Sequence, residues 1–302
     1  MPDAPLVLTP AEDTYLRHYG IHFAEEFPDL GHAFGRISAE SHDVSAHLWR
    51  PVAAAGTAVV LHGYFDHVGL YGHLIRYLLE RNYAVLAFDL PGHGLSSGEA
   101  ATIDTFDHYV AAFDACLESL GEHLPKPWHL FGQSTGGAIA MEWILANRFD
   151  RQSSPFEHVI LLAPLVRPYQ WPLNRVLYEI ARRFIKERER VFTNNAENPE
   201  FLAFLRDRDP LQARVLPVQW ITAMKAWKDR FERYGASDLE PLVIQGHADQ
   251  TVDWRYNMAV IERLFEPEIF FIPEARHHMV NESEDIRRQI FQKIDERLGT
   301  VL

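Results

Sequence analysis

Short, unbroken apolar runs alternate along this chain with longer stretches in which apolar residues recur every three or four positions. Ala58-Val59-Val60-Leu61, Tyr83 to Leu90, Trp128 to Phe131, Val159 to Leu162, Pro241 to Ile244 and Ile269 to Ile272 are runs of the first kind. The first two have the length and composition of strands buried on both faces, and the other four are read as strands as well. Leu74, Ile75, Leu78 and Leu79 share one face of a helix predicted over Tyr71 to Asn82. Ile103, Phe106, Val110, Phe113, Leu117 and Leu120 predict another, and Trp254 to Phe265 a third. The chain closes on Ile286, Ile290, Ile294 and Leu298, with Asn281 and Glu284 at capping-box spacing ahead of them. Before the first run, Ile37 to Val52 alternates loosely and predicts opening antiparallel strands. The alternation implies an α/β fold, a mostly parallel central sheet with helices on both faces.

The alternation is interrupted between Leu162 and Pro241. Helical patterns at Leu173 to Arg190 and Val218 to Trp227 fill the gap, joined by Thr193-Asn194-Asn195 and Asp209-Pro210. A structureless loop of that length is uncommon in a compact domain, so a helical cap is expected over residues 166–236. It would divide the core into 1–165 and 237–302. Charge marks the same unit: 166–236 holds 14 Lys and Arg against 9 Asp and Glu, or +5, and the remainder 15 against 33, or −18.

Composition narrows the classes. At 47% hydrophobic and 24% charged residues, the 302-residue chain is neither disordered nor fibrous. A formal net charge of −13 disfavours nucleic acid as a partner, since phosphate contacts need clustered Lys and Arg. The one cysteine, Cys116, falls on the stripe of Phe113, Leu117 and Leu120 and is expected as a core thiol. Met1 to Glu26 lacks a basic start followed by an apolar run, and no stretch of about 18 apolar residues occurs, which makes a cytoplasmic protein the expectation. His62, His67, His73 and His93 with Asp66 match no usual ligand spacing, so no metal is expected. The sequence assigns no oligomeric state.

Candidate chemistry begins where Trp128-His129-Leu130-Phe131 runs into Gly132-Gln133-Ser134-Thr135-Gly136 and then Ala138-Ile139-Ala140-Met141. A strand turning sharply into a helix at Gly-x-Ser-x-Gly is a nucleophile elbow, with Ser134 the candidate nucleophile. In sheets of this kind ligands collect at the carboxyl ends of strands. Gln245-Gly246-His247-Ala248-Asp249 and Pro273-Glu274-Ala275-Arg276-His277-His278 follow two such ends, so an acid and a histidine come after the serine in the order Ser, Asp, His. Asp253 stands at the apparent start of a helix, where an N-cap role suits it better.

Leu61-His62-Gly63-Tyr64, Asp89 to Ser96, Gly132 to Gly136, Gly246 to Asp249 and Ala275-Arg276-His277 together resemble the α/β-hydrolases. The resemblance runs from Gly35 to Leu298. Within that superfamily the chain is similar to the lysophospholipase and monoacylglycerol lipase branch, through Asp89 to Ser96, Arg276-His277 with Asn281-Glu282, and Asp209-Pro210-Leu211 ahead of Trp220. The resemblance implies a cofactor-free serine ester hydrolase acting on a small-molecule or lipid ester. Ser134 would form an acyl-enzyme, His277 act as base and Asp249 orient the imidazole. The backbone N–H groups of Tyr64 and Thr135 would form the oxyanion hole. Ala-Arg-His spacing selects His277 over His278, which becomes a solvated or packing histidine, and Asp89 belongs to a structural turn. Trp171, Trp220 and Trp227 are core candidates, with at least one expected to line an acyl pocket.

The basic cap could draw anionic head groups or a membrane surface toward the entrance, against the competing reading of a solvated, internally paired face around Arg182, Arg183, Lys186, Arg188 and Arg190. A general carboxylesterase, a peptidase or carbon–carbon bond hydrolase, and a non-catalytic binding protein remain the alternative functions.

Overall fold

The computed structural model describes residues 8–300; the first seven residues of the Met1 to Glu26 stretch and the outermost ends of 1–165 and 237–302 lie outside it. In chain order the elements are α1 (Pro10–His18), β1 (Leu30–Ala39), β2 (His42–Pro51), β3 (Gly56–Leu61), α2 (Gly72–Glu80), β4 (Tyr83–Phe88), α3 (Asp107–Leu120), β5 (Trp128–Gln133), α4 (Thr135–Ala146) and β6 (Phe156–Leu162). There follow α5 (Trp171–Ala181), β7 (Glu187–Glu189), α6 (Pro199–Asp207), β8 (Val215–Pro217), α7 (Val218–Phe231), β9 (Leu242–Gly246), α8 (Trp254–Leu264), β10 (Glu268–Ile272) and α9 (Glu284–Leu298).

Eight strands form one sheet in the order β1-β2-β4-β3-β5-β6-β9-β10. The β1–β2 and β2–β4 pairs are antiparallel, and every later pair is parallel. Because side chains alternate across a strand, β3 sends Val59 and Leu61 into one apolar cluster and Ala58 and Val60 into the other. The first cluster includes Phe113, Ile139 and Ile261 from α3, α4 and α8. The second includes Leu78 and Ile290 from α2 and α9, with Leu16 from α1. Cys116 is buried in the first, as its stripe predicts. Asp89 accepts from the Val68 and Leu95 N–H groups at 2.7 and 2.8 Å, which fixes the turn after β4.

Several expectations need correction. The opening hairpin begins at Leu30, earlier than Ile37, because β1 is an edge strand with interspersed Gly31, His32 and Arg36 and so no clean apolar alternation. α5 stops at Ala181, and residues 187–189 pair with β8, so the helix does not reach Arg190. Asn281 does not cap α9: Ser283 holds that position without a side-chain hydrogen bond, and Asn281 Nδ2 instead donates to the Leu70 carbonyl at 2.7 Å. Asp253 does cap α8, accepting from Tyr256 N–H. Among the described residues no helix is long and apolar enough to cross a membrane.

Candidate active site

β5, β9 and β10 run parallel, so their carboxyl ends open on the same edge of the sheet. Gln133 ends β5, and Ser134 follows at φ 51° and ψ −111°, a backbone conformation L-residues seldom adopt. The flanking glycines make this turn feasible. A Cβ on Gly132 would sit 2.7 Å from Gly137 Cα, and one on Gly136 2.1 Å from the Leu61 carbonyl oxygen. Packing of α4 against β3 and β5 therefore excludes larger residues at both places. Ser134 N–H donates to the Leu162 carbonyl at 2.9 Å, tying the turn to β6.

The loops after β9 and β10 bring Asp249 and His277 to this serine. His277 Nδ1 lies 2.8 Å from Asp249 Oδ2, and His277 Nε2 lies 2.9 Å from Ser134 Oγ. With the Nδ1 hydrogen directed at the carboxylate, Nε2 is left to accept from the hydroxyl. An imidazole held this way can take the hydroxyl proton as oxygen attacks a carbonyl and return it to a leaving group. Burial alone would pull the His277 pKa down, but the charge and hydrogen bond of Asp249 outweigh it and the net shift is upward. Burial likewise opposes ionisation of Asp249, yet His277 and the Thr251 and Val252 N–H groups hold its carboxyl below the usual range.

Tyr64 and Thr135 line the cavity beside Ser134, and among the described residues neither backbone N–H has a hydrogen-bond acceptor. Thr135 opens α4, so its N–H is one of the helix's unpaired donors. The cavity, of about 630 Å³, also reaches His277, Trp171 and Trp220. Trp220 stacks on Tyr64 with ring centroids 3.7 Å apart. Trp227 lies outside the lining: it is buried, donates to Glu142 Oε2 at 3.0 Å and stacks on Phe106.

His278 is not solvated. It is buried with Nε2 3.2 Å from Asp66 Oδ1, and Phe201 packs against its ring. Tyr71 Oη donates to Asp66 Oδ2 at 3.0 Å and accepts from Gly63 N–H at 2.9 Å, so Asp66 and Tyr71 brace the loop that presents Tyr64. Burial resists the Asp66 charge, but His278 overcomes it and keeps the carboxyl well below its ordinary pKa. His62 spends both ring nitrogens on backbone, Nδ1 on the Gly63 carbonyl and Nε2 on Leu90 N–H, each at 2.8 Å. Among the described residues no group of three or more His, Cys, Asp or Glu is arranged to hold a metal ion.

Motif spacing alone does not expose four further residues. Gln133 Nε2 donates to the His277 carbonyl at 2.8 Å, and Gln245 Nε2 to Asp249 Oδ2 at 3.1 Å. Both sit at strand ends, the one signal that could have marked them. The Asn195 carbonyl accepts from the N–H groups of His277 and His278 at 3.0 and 2.8 Å. Arg190 enters the cavity lining from the segment after β7.

A doubly covered parallel sheet with a strained serine at a strand-to-helix turn, joined through histidine to an aspartate, defines the α/β-hydrolase fold. The chain belongs to the family described as serine aminopeptidase, S33, whose model matches residues 53–284. It is 30% identical to the phospholipase YtpA of Bacillus subtilis over 178 residues, 57% of this chain and 66% of that protein. It is also 30% identical to human monoglyceride lipase over 142 residues, 46% of this chain and 44% of that one. The chain thus spans between about half and two thirds of the length of these relatives. Among solved structures, a soluble variant of Saccharomyces cerevisiae monoglyceride lipase in complex with a substrate analogue superposes with a TM-score of 0.73 at 15% identity, over 88% of this chain and 94% of that one. The Paleococcus ferrophilus monoacylglycerol lipase gives 0.68 at 20% identity, over 89% and 98%.

Proposed function

We propose that this protein is a serine ester hydrolase that cleaves lipid monoesters, lysophospholipids or monoacylglycerols, through an acyl-enzyme. The observation that carries the reading is the continuous hydrogen-bonded chain Asp249, His277, Ser134 opening into a cavity with much apolar lining. Ser134 Oγ attacks the ester carbonyl as its proton passes to His277 Nε2, and the tetrahedral oxygen takes up the N–H groups of Tyr64 and Thr135. Collapse releases the alcohol with that proton. His277 then takes a proton from water, the hydroxyl attacks the acyl carbon, and as the bond to Ser134 Oγ breaks His277 returns that proton to the serine and the carboxylic acid leaves. Residues 166–236 act as a cap over this centre, with 1–165 and 237–302 the hydrolase body and with Trp171 and Trp220 lining the acyl site.

The family description also raises a peptidase reading. An aminopeptidase needs an anion to hold the substrate's ammonium, and Asp66, the carboxylate of the cavity lining, is already engaged by His278 and Tyr71. Ester substrates therefore fit better.

The outer face of α5 and the turn after it expose Leu173, Val176, Ile180 and Phe184 beside Arg175, Arg183 and Lys186. This apolar face with a basic border supports peripheral contact with a lipid surface. Two assays test the main reading: a fluorophosphonate probe on wild type and Ser134→Ala, and an acyl-chain series of nitrophenyl esters run beside lysophosphatidylcholine and monoacylglycerol. Labelling that survives Ser134→Ala, or absence of turnover across the series, overturns it.

A further inference from the structure

The cavity lining divides by segment. From α5, α7 and the turns beside them come Leu177, Ala181, Ile185, Ile221 and Met224. From β7, the chain after it and α6 come Arg188, Arg190 and Arg206, three guanidinium groups in a chain of net charge −13, of which Arg206 is already paired with Asp207 at 2.9 Å. Acyl transfer at Ser134 requires none of them. Asp66 is the sole carboxylate among the described lining residues, and its oxygens are taken by His278 and Tyr71.

Arg190 is the most confined of the three. Its guanidinium lies 4.0 Å from the centre of the Phe65 ring and 4.5 Å from that of Phe192. Nη1 donates to Gln212 Oε1 and, at 3.4 Å, to the Ala213 carbonyl, and among the described residues Arg190 pairs with no carboxylate. Burial pulls its pKa down to about 10, with Asp66 and Tyr64 opposing, so it stays charged at neutral pH. A half-buried cation with no carboxylate in direct contact is costly, and its remaining N–H groups form a fork suited to phosphate or carboxylate oxygens. Phe65 adjoins Tyr64, which places this cation beside the oxyanion loop.

We propose that the arginines centred on Arg190 bind an anionic group on the alcohol part of the substrate, so that the preferred ester is a single-chain lipid with a phosphate head group. The proposal rests on the ester-hydrolase reading and narrows its substrate class. The apolar lining takes the acyl chain, and the arginines take the charge.

The test compares kcat/KM, below micelle-forming concentrations, for three esters of one acyl length: monoacylglycerol, lysophosphatidic acid and the acyl ester of glycerate. Wild type should favour lysophosphatidic acid over monoacylglycerol at least tenfold, chiefly through KM. A matching preference for the glycerate ester shows that charge suffices; a preference confined to the phosphate shows that its geometry is read as well. Both outcomes support the anion site. Arg190→Gln should lower the anionic-to-neutral ratio about tenfold, a ratio internal to each variant and so insensitive to partial misfolding. Should Arg190→Gln fail to fold, the pair Arg188→Gln and Arg206→Gln, on more exposed side chains, should lower the ratio in the same direction. A wild type indifferent to charge, or ratios unchanged in every variant that folds, overturns the proposal. Wild type inert toward all three esters would instead overturn the ester-hydrolase reading beneath it.

Discussion

At the scale of single residues the proposed mechanism makes His277 useful only while neutral. Burial lowers its pKa and Asp249 raises it, and the net shift is upward from the ordinary value of about 6.5. kcat/KM should therefore fall as pH drops through that raised value. Asp249→Asn removes the largest opposing charge and leaves burial against the weaker pull of Asp66 and Glu282, so the acid limb should move to lower pH while the rate falls about 10⁴-fold. A pH profile with an uncharged ester reads both effects, and a limb that stays in place would belong to another group. Ser134→Ala and His277→Ala should each cost about 10⁶-fold, since serine and base act as a unit. Tyr71→Phe bears on a different part of the site: it removes the acceptor of the Gly63 N–H and a donor to Asp66. The Tyr64 donor then loses its brace. kcat should fall more than KM rises, with about 1–2 kcal/mol lost from stability. An unchanged kcat beside a lowered melting temperature would make the brace purely structural.

Among the elements, those flanked by neighbours on both sides were the legible ones. β3, β4, β5, β6 and β9 show as apolar runs because each passes between helices, whereas β10 borders only β9, buries only Ile272 and is read from its β-branched and aromatic residues; the strand-end positions of Ser134, Asp249 and His277 follow from that regularity. Less of the remainder could be read. β1 borders a single strand, and α1 fully buries only Leu16, so neither needs a long apolar pattern. Their traces are local: Thr9 and Glu12 form a capping box on α1, and Asn198 with Pro199 opens α6. Conversely, apolar residues continue past Ala181 and suggest more helix than exists, because their faces point outward and no core fixes the period. What joins these weakly signalled elements to the body is Asp209, which accepts from Tyr19 Oη at 2.7 Å and Gln212 Nε2 at 2.9 Å and pairs with His67 Nε2 at 3.0 Å. Asp209→Ala strands the buried His67 Nε2 and the half-buried Tyr19 hydroxyl and leaves Gln212 Nε2 only the Phe65 carbonyl, so it should cost roughly 2–3 kcal/mol, read as a shift in the urea midpoint. Burial raises the Asp209 pKa, but His67 and its other partners lower it more, and the net shift is downward. The carboxylate's contribution is thus complete at neutral pH and fades as pH falls through the depressed value, so wild type and variant should converge in acid. A gap that persists there would show that lost packing, not charge, sets the cost.

For the molecule as a whole, the charge split and the exposed apolar residues fall on the same segment. Phe184 is 81% exposed, and Leu173, Val176 and Ile180 each exceed half exposure. Such a face costs solubility unless something covers it. Arg182 is tied to Glu179 at 2.8 Å, with Lys225 3.6 Å from the same carboxylate, so part of the basic surface is internally paired. Arg175, Arg183 and Lys186 border the apolar residues, and near an anionic bilayer each basic residue contributes about 1 kcal/mol. Burying an apolar side chain contributes about 1.5–3 kcal/mol, so the apolar residues dominate and the basic ones tune the interaction. The combination Ile180→Asp and Phe184→Asp should therefore weaken binding to vesicles of mixed neutral and anionic lipid by more than tenfold. Arg183→Glu should weaken it less, and only at low salt. Turnover of a short, soluble ester should change far less than turnover of a vesicle-borne one, because neither aspartate approaches Ser134. If both substrates lose activity in parallel, the face supports the fold of the cap; if neither binding nor vesicle turnover changes, the lipid surface lies elsewhere on the molecule.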